Sequence, residues 1–349
     1  MASPDLVGVD LGEGWTVTSA VSPSPSGTGG NFSLGYLAHH ASGREGFVKV
    51  INYEAVLFSV DPTAELQRIT EAYNFERDLV DRCTRKNLSR VVTAYKHGNM
   101  RVAHYSYPVS FIIFERADND IRTVLDASVD LELAVKLRMI HHAAAGIAQL
   151  HSIGVAHQDV KPSNLLVFNS TMRAVDSAKI GDLGRATDQA YAARHDSYPI
   201  AGDPSYAPPE QCFGETPSSF GARRLACDIY QLGSLLAYLV TGGMTMNTLL
   251  HHFLDPRYAP RNWSGTYAEV LPYVQAAHAA SLAAINSSFS HPLAAALIDL
   301  IECTTNPEVE RRGHRASHKA RQPYAMNRIV AELDLLARRA ESHYLQGRN

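Results

Sequence analysis

The sequence predicts an α+β chain of two lobes, a β-rich front followed by a mostly helical back. Residues 5–60 carry four short apolar stretches of strand character, residues 62–86 carry a helical pattern, and 131–154 and everything after 221 are helical in pattern. The change of character near 116–120 implies a strand-rich lobe with one main helix over 1–117, a helical lobe over 118–325 and a terminal helix over 326–349. At 349 residues, with 45% hydrophobic and 19% charged residues, the composition is that of an ordinary soluble globular protein.

The strands of the front are expected in LVGVDL, WTVTSAV, FSLGYLA and GFVKVINY, with the Ser/Pro/Gly-rich connection PSPSGTGGN at 23–31 having nothing to bury. Asp61 is placed to cap the helix that begins at 62. VVTAYKHGNM and RVAHYSYPVSFIIFE read as two strands turning at His97-Gly98-Asn99. Residues 131–154 form a long amphipathic pattern closed by Gly154. NLLVF and AKIGDL are short apolar segments, and 327–343 is a last amphipathic helix.

A net charge of −3 argues against a chain that binds nucleic acid over its whole length. Cys83, Cys212, Cys227 and Cys303 are scattered without metal spacing, as expected of reduced thiols in a cytoplasmic protein. The first residues lack a signal-peptide pattern, and no apolar run approaches the roughly 20 residues that span a bilayer, so no membrane role is expected.

The chemistry concentrates in HQDVKPSN, residues 157–164. Phosphoryl transfer needs a carboxylate to orient and deprotonate the attacking hydroxyl, a cation on the transferred phosphate, and oxygen ligands for a metal ion. Asp159, Lys161 and Asn164 offer one of each within six residues. Asp182, set between Gly181 and Leu183-Gly184 after an apolar segment, offers a second acid. Lys49, in the apolar stretch Phe47-Val48-Lys49-Val50, calls for an anionic partner.

These segments resemble the eukaryotic-type (Hanks-type) Ser/Thr protein kinases, in particular a bacterial stand-alone subgroup. The family's H-R-D-x-K-x-x-N loop appears as HQDVKPSN, its DFG as Asp182-Leu183-Gly184, and its APE within YAPPE at 206–210. Its D-x-W-S-x-G helix appears as DIYQLG at 228–233, and its late arginine near Arg311-Arg312. The resemblance implies a two-lobed kinase fold that uses ATP and Mg²⁺ on a protein substrate. Asp159 would be the catalytic base, Lys161 would hold the γ-phosphate, and Asn164 and Asp182 would bind Mg²⁺. Lys49 would hold the α/β-phosphates and pair with a helix glutamate, for which Glu76 is preferred over Glu65 and Glu71. Gly12 and Gly14 would form the glycine-rich turn over the nucleotide. Phe114 would be the gatekeeper, with backbone groups at Glu115 and Ala117 on adenine. Asp228 would brace the catalytic loop, and Glu210 would pair with Arg311 or Arg312. Lys161-Pro162-Ser163 favours Ser/Thr over tyrosine specificity and counts against a small-molecule kinase.

The chain departs from the family at four places. Gln158 replaces the usual Arg, so activity without activation-loop phosphorylation is expected, although Thr187, Tyr191, Ser197, Tyr198 and Ser205 are available acceptors. Val17 stands where a third glycine is expected, Phe47 where the family has Ala over adenine, and Asp203 where it has Thr. The second reading is therefore a pseudokinase scaffold that binds nucleotide or partner proteins. The doublets His39-His40, His141-His142 and His251-His252 make poor chelates, since adjacent residues face different ways. The basic run at 311–322 reads as a solvated loop.

Overall fold

A computed structural model of the chain describes residues 5–22, 33–53, 56, 58–103, 108–127, 131–171 and 174–346. The chain divides into two compact units, Met1–Asp118 and Asn119–Asn349.

The first unit is built on a six-stranded antiparallel sheet of order β1-β2-β3-β4-β6-β5. Its strands are β1 (Asp10–Gly12), β2 (Trp15–Val21), β3 (Ser33–His40), β4 (Glu45–Ile51), β5 (Ala94–Met100) and β6 (Val109–Glu115). Side chains alternate across a strand, so Tyr36, Ala38, Val48, Val50, Phe111 and Ile113 fall on one face. Leu6, Leu11, Trp15 and Val17 close that face into a core. Trp15 is buried, with its ring stacked near Tyr95 and the Arg44 guanidinium over both rings.

Helix α1 (Pro62–Arg85) starts where the sequence says it should. The Asp61 carboxylate accepts from Ala64 N at 3.0 Å, and Pro62 occupies the first turn, where no amide hydrogen is needed. Ile69, Tyr73, Glu76, Leu79, Val80 and Cys83 are its buried residues. The turn expected at His97-Gly98-Asn99 is absent, because these residues lie inside β5, opposite Ile112, Phe111 and Ser110. Contacts to α1 override the local turn chemistry: His97 Nε2 meets Asp81 at 2.8 Å, and the Tyr73 hydroxyl donates to the carbonyls of Phe111 and Gly98. The chain reverses after Met100 instead, in a stretch of which 104–107 lie outside the described residues.

The second unit is mainly helical. Its helices are α2 (Ile121–Ala127), α3 (Leu133–Ser152), α4 (Pro209–Cys212), α5 (Ala226–Thr241), α6 (Met246–Phe253), α7 (Tyr267–Ser288), α8 (Ala294–Thr304), α9 (Arg315–Lys319) and α10 (Asn327–Gln346). Helix α5 is apolar on nearly every side and buried, the pattern of a central core helix. Helix α10 lies along α3, and Arg138 of α3 bonds both Asp334 at 2.7 Å and Glu341 at 2.8 Å. The remaining strands are short: β7 (Asn119–Asp120), β9 (Leu165–Thr171) and β10 (Ala174–Ile180) form one sheet, and β8 (Val155–Ala156) pairs β11 (Thr187–Asp188). Trp263 sits beside Tyr258, its indole N–H on the Thr266 carbonyl.

The basic run 311–322 is not a solvated loop throughout, since Arg312 is fully buried and Arg315–Lys319 form α9. The four cysteines are free thiols, and among the described residues no single helix is long and apolar enough to cross a membrane.

Candidate active site

Residues 157–164 are held from below by α5. Asp228, fully buried, accepts from the amides of His157 and Gln158 at 2.7 Å each and from His151 Nε2 at 2.8 Å. Gln231 adds a second clamp, donating to the Gln158 carbonyl and accepting from Val160 N, both at 2.9 Å. His157 is a buckle between two loops: its Nε2–H donates to the Gly181 carbonyl, while its Nδ1 accepts from Asp159 N. Gln158 takes a left-handed backbone at φ 65°, a conformation that costs a non-glycine residue on the order of 1–3 kcal/mol and persists only where its surroundings impose it.

The loop brings Asp159, Lys161 and Asn164 together. Lys161 Nζ stands 3.0 Å from Asp159 Oδ2. The Asn164 amide nitrogen donates to the Asp159 backbone carbonyl at 2.8 Å and to Oδ2 at 3.0 Å. All three side chains are buried among polar partners. The Asn164 N–H groups being spent on Asp159, its carbonyl oxygen is the group left to meet a cation. Gly181 N donates to the Asn164 backbone carbonyl at 2.9 Å, which sets Asp182 beside the 157–164 loop. Asp182 is exposed and also left-handed, at φ 56°. A hard amide oxygen and a carboxylate suit Mg²⁺, which keeps several waters and shares phosphate oxygens rather than needing a full protein cage. Among the described residues no cluster of three or more His, Cys, Asp or Glu side chains is placed to hold a metal ion.

Asp203 closes the loop from the other side. Its amide donates to Asp159 Oδ1 at 2.8 Å, and its carboxylate lies 3.6 Å from Lys161 Nζ while also accepting from Ser205 N. Lys161 thus stands between two acids and offsets their repulsion. Gly202 permits the approach: a Cβ there would fall 2.7 Å from Asp159 Oδ1 and closer still to the Gln158 carbonyl oxygen. Of the expected phosphate acceptors, Thr187 is 1% exposed and locked in β11, so it is not available, whereas Tyr191 and Tyr198 are exposed.

In the first unit, Lys49 on β4 meets Glu76 of α1, Nζ to Oε1 at 2.8 Å and to Oε2 at 2.9 Å. The competing glutamates are engaged elsewhere, Glu65 with Arg68 and Glu71 with Gln67. The Phe47 ring, on the same face of β4 as Lys49, rests on Gly35, where no side chain obstructs it. Phe114 pairs directly with Phe47. Glu115 spends its amide on the Thr93 carbonyl and its carboxylate on Thr93 N; Ala117 follows just beyond the strand.

Gly12 and Gly14 do not join this group. Glu13 and Gly14 both have positive φ, at 54° and 82°, and form the tight turn of the β1–β2 hairpin. Lys96 pairs with Glu13 at 3.0 Å, and His40 Nε2 contacts the Glu13 carbonyl at 2.9 Å, which pins the turn at the Trp15–His40 end of the sheet. Lys49 lies opposite Gly35, which lies opposite Val21, at the other end of β2. From Gly35 to His40 is about 17 Å of strand at about 3.3 Å per residue, so the two glycines sit at the other end of the sheet from Lys49. The connection between β2 and β3, residues 22–32, carries Gly27, Gly29 and Gly30 in its sequence; residues 23–32 lie outside the described residues.

Glu210 and Arg312 form a buried two-point ion pair, at 2.8 and 2.7 Å, with Arg312 also donating to the carbonyls of Asn306 and Ala226. Burial alone would pull the Arg312 guanidinium down, and the Glu210 carboxylate more than reverses it. Arg311 pairs with Glu308 instead.

Residues 27–313 match the protein kinase domain family. The chain is 28% identical over 220 residues to phytosulfokine receptor 2 of Arabidopsis thaliana, covering 61% of this chain and 18% of that protein. It is 29% identical over 221 residues to the serine/threonine-protein kinase AfsK of Streptomyces griseus, covering 61% and 23%. It is 31% identical over 135 residues to a dual serine/threonine and tyrosine protein kinase of Strongylocentrotus purpuratus, covering 39% and 12%. The matched region is thus less than a quarter of the length of each of these relatives. With most of its length matched by one family, and with that family's lysine–glutamate pair, catalytic loop and buried Glu–Arg pair in its structure, the chain belongs to the protein kinase domain family.

Proposed function

We propose that this chain is an active protein kinase that transfers the γ-phosphoryl group of ATP to serine and threonine hydroxyls of protein substrates. The observation that carries the reading is the buried cluster in which Asp159 directly contacts both Lys161 and Asn164. Asp159 accepts the proton of the substrate hydroxyl as its oxygen bonds the γ-phosphorus. The bond from that phosphorus to the β–γ bridging oxygen breaks, and ADP leaves with the electron pair. Lys161 and Lys49 offset the negative charge that develops on the phosphoryl oxygens. Glu76 holds the Lys49 ammonium in one position. Asn164 and Asp182 would hold Mg²⁺, which supplies charge neutralisation on the phosphates. The glycine-rich sequence of the chain is assigned to Gly27, Gly29 and Gly30 rather than to Gly12 and Gly14.

Serine and threonine specificity is supported by the Lys161–Asp159 contact and by the AfsK relative, whose name is that of a serine/threonine-protein kinase. The test is transfer from labelled ATP with Mg²⁺ onto the chain itself and a generic basic protein, comparing the native chain with Asp159→Ala and Asp182→Ala. Loss of label in both variants, with phosphoserine and phosphothreonine in the native product, is the expected result. Nucleotide binding with no transfer, under any substrate tried, would favour the scaffold reading.

A further inference from the structure

Gln158 has no charge, yet it stands at the centre of a charged network. Its Nε2 donates to the Arg224 carbonyl at 2.8 Å and to Asp228 Oδ1 at 3.1 Å, and its Oε1 accepts from Arg224 Nη1 at 3.1 Å. Arg224 lies in a wide helical turn, Gly221–Leu225, just before α5, and its guanidinium is almost wholly buried. A buried guanidinium is costly unless its donors and its charge are matched. Gln158 matches one donor. The remainder reaches into the segment between Asp182 and Asp203: Arg224 Nη2 donates to the Asp196 backbone carbonyl at 2.8 Å and lies 3.7 Å from its Oδ1. Arg223 donates to that same carbonyl at 2.6 Å.

The Asp196 backbone carbonyl receives both arginines, and its carboxylate faces one of them. Its Oδ2 is taken by Ala193 N at 2.7 Å, within its own short turn. Its Oδ1 is buried and makes no hydrogen bond, and Arg224 is the cation that faces it. Next to it, His195 Nε2 donates to the Ala186 carbonyl at 2.6 Å, tying the turn to the start of the same segment. The far end of the segment is tied by Asp203 N on Asp159.

We infer that Asp196, Arg224, Gln158 and Asp228 form a permanent strut that orders the 183–203 segment and sets Asp159 without any covalent phosphate, with Asp196 and Arg224 as positioning residues. The segment's own carboxylate supplies the anion, and the positive charge sits on residue 224 rather than on 158. An arginine at 158 would place a second buried cation against Arg224, which explains why an uncharged amide occupies the position. The activity readout of this proposal rests on the kinase reading; the conformational readout does not.

The experiment uses the full chain, treated with a protein phosphatase and shown by mass spectrometry to carry no phosphate. Native chain, Asp196→Ala and Asp196→Asn are compared for kcat, for KM of ATP, and for the rate of tryptic cleavage after Arg185 and Arg194. Asp196 is only partly buried, so its variants fold where an Arg224→Ala variant risks failing. The dephosphorylated native chain is expected to keep its rate within about twofold. Both variants are expected to lose about tenfold or more in kcat, with KM for ATP changed less than about twofold, since misplacement by an ångström is enough for such a loss. Both are also cleaved faster within the segment. Dephosphorylation that abolishes native transfer overturns the proposal, and so does an Asp196→Asn variant with native kcat and native cleavage rate. If the native chain transfers no phosphate at all, the kinase reading fails, while faster cleavage in the variants still supports the strut and unchanged cleavage still overturns it.

Discussion

Lys49 reaches both oxygens of the Glu76 carboxylate, at 2.8 and 2.9 Å, across 27 residues of sequence. Lys49→Met is expected to lower kcat about 100-fold or more, because it removes a charge placed for the phosphates. Glu76→Gln is expected to lower it less, since the amide still accepts one hydrogen bond. Steady-state kinetics with both variants separates the two roles; equal losses would make Glu76 more than a positioning group.

Substitutions at the hairpin and in the Gly27–Gly30 string are expected to divide cleanly. Gly14→Ala forces an alanine to φ 82°, costing about 1–2 kcal/mol of stability, and leaves KM for ATP unchanged. Gly29→Val is expected to raise KM for ATP with little change in melting temperature. Paired melting and kinetic measurements decide it, and an ATP effect confined to Gly14 would return the nucleotide to the hairpin.

Glu210→Gln leaves Arg312 buried without its counter-charge, and about 3–5 kcal/mol of stability is expected to go with it. Denaturant unfolding monitored on the second unit measures the loss. A variant within about 1 kcal/mol of native would mean that water reaches the guanidinium.

Acid is expected to weaken the second unit through His278. Burial, with the Arg312 charge adding to it, lowers His278 to about 4, and its Nε2 contacts Thr305 Oγ1 at 2.8 Å. The unfolded chain binds a proton here near pH 6.5 and the folded one does not, so stability is complete above about 6.5 and falls as pH drops toward 4. His278→Gln keeps a hydrogen-bonding group without the titration, and its stability is expected to be flatter across that window. Identical pH profiles for native and variant would show that other groups govern the acid limb.

The features legible in the sequence were those set by neighbours along the chain. Asp61 caps α1 because a carboxylate three residues before an amide needs no tertiary help. The acid–lysine–asparagine spacing of 157–164 is equally local, although the loop's shape is imposed by Asp228 and Gln231 of α5. What escaped depends on contacts between distant residues. His97-Gly98-Asn99 has turn chemistry, but Asp81 and Tyr73 of α1 draw it into a strand. Gly12 and Gly14 fit a glycine-rich spacing, and only strand register shows that they lie at the other end of β2 from Lys49. Nothing near Asp196 in the sequence announces Arg224, which reaches it from 28 residues away.

The placement of the two tryptophans gives the molecule a pair of internal optical probes. Trp15 is enclosed by Tyr95, His40 and Arg44 in the first unit, while Trp263 rests against Tyr258 in the second. They are the chain's full complement of tryptophan. A Trp263→Phe chain therefore emits from the first unit alone and a Trp15→Phe chain from the second, so fluorescence can follow the melting of each unit separately without an added dye.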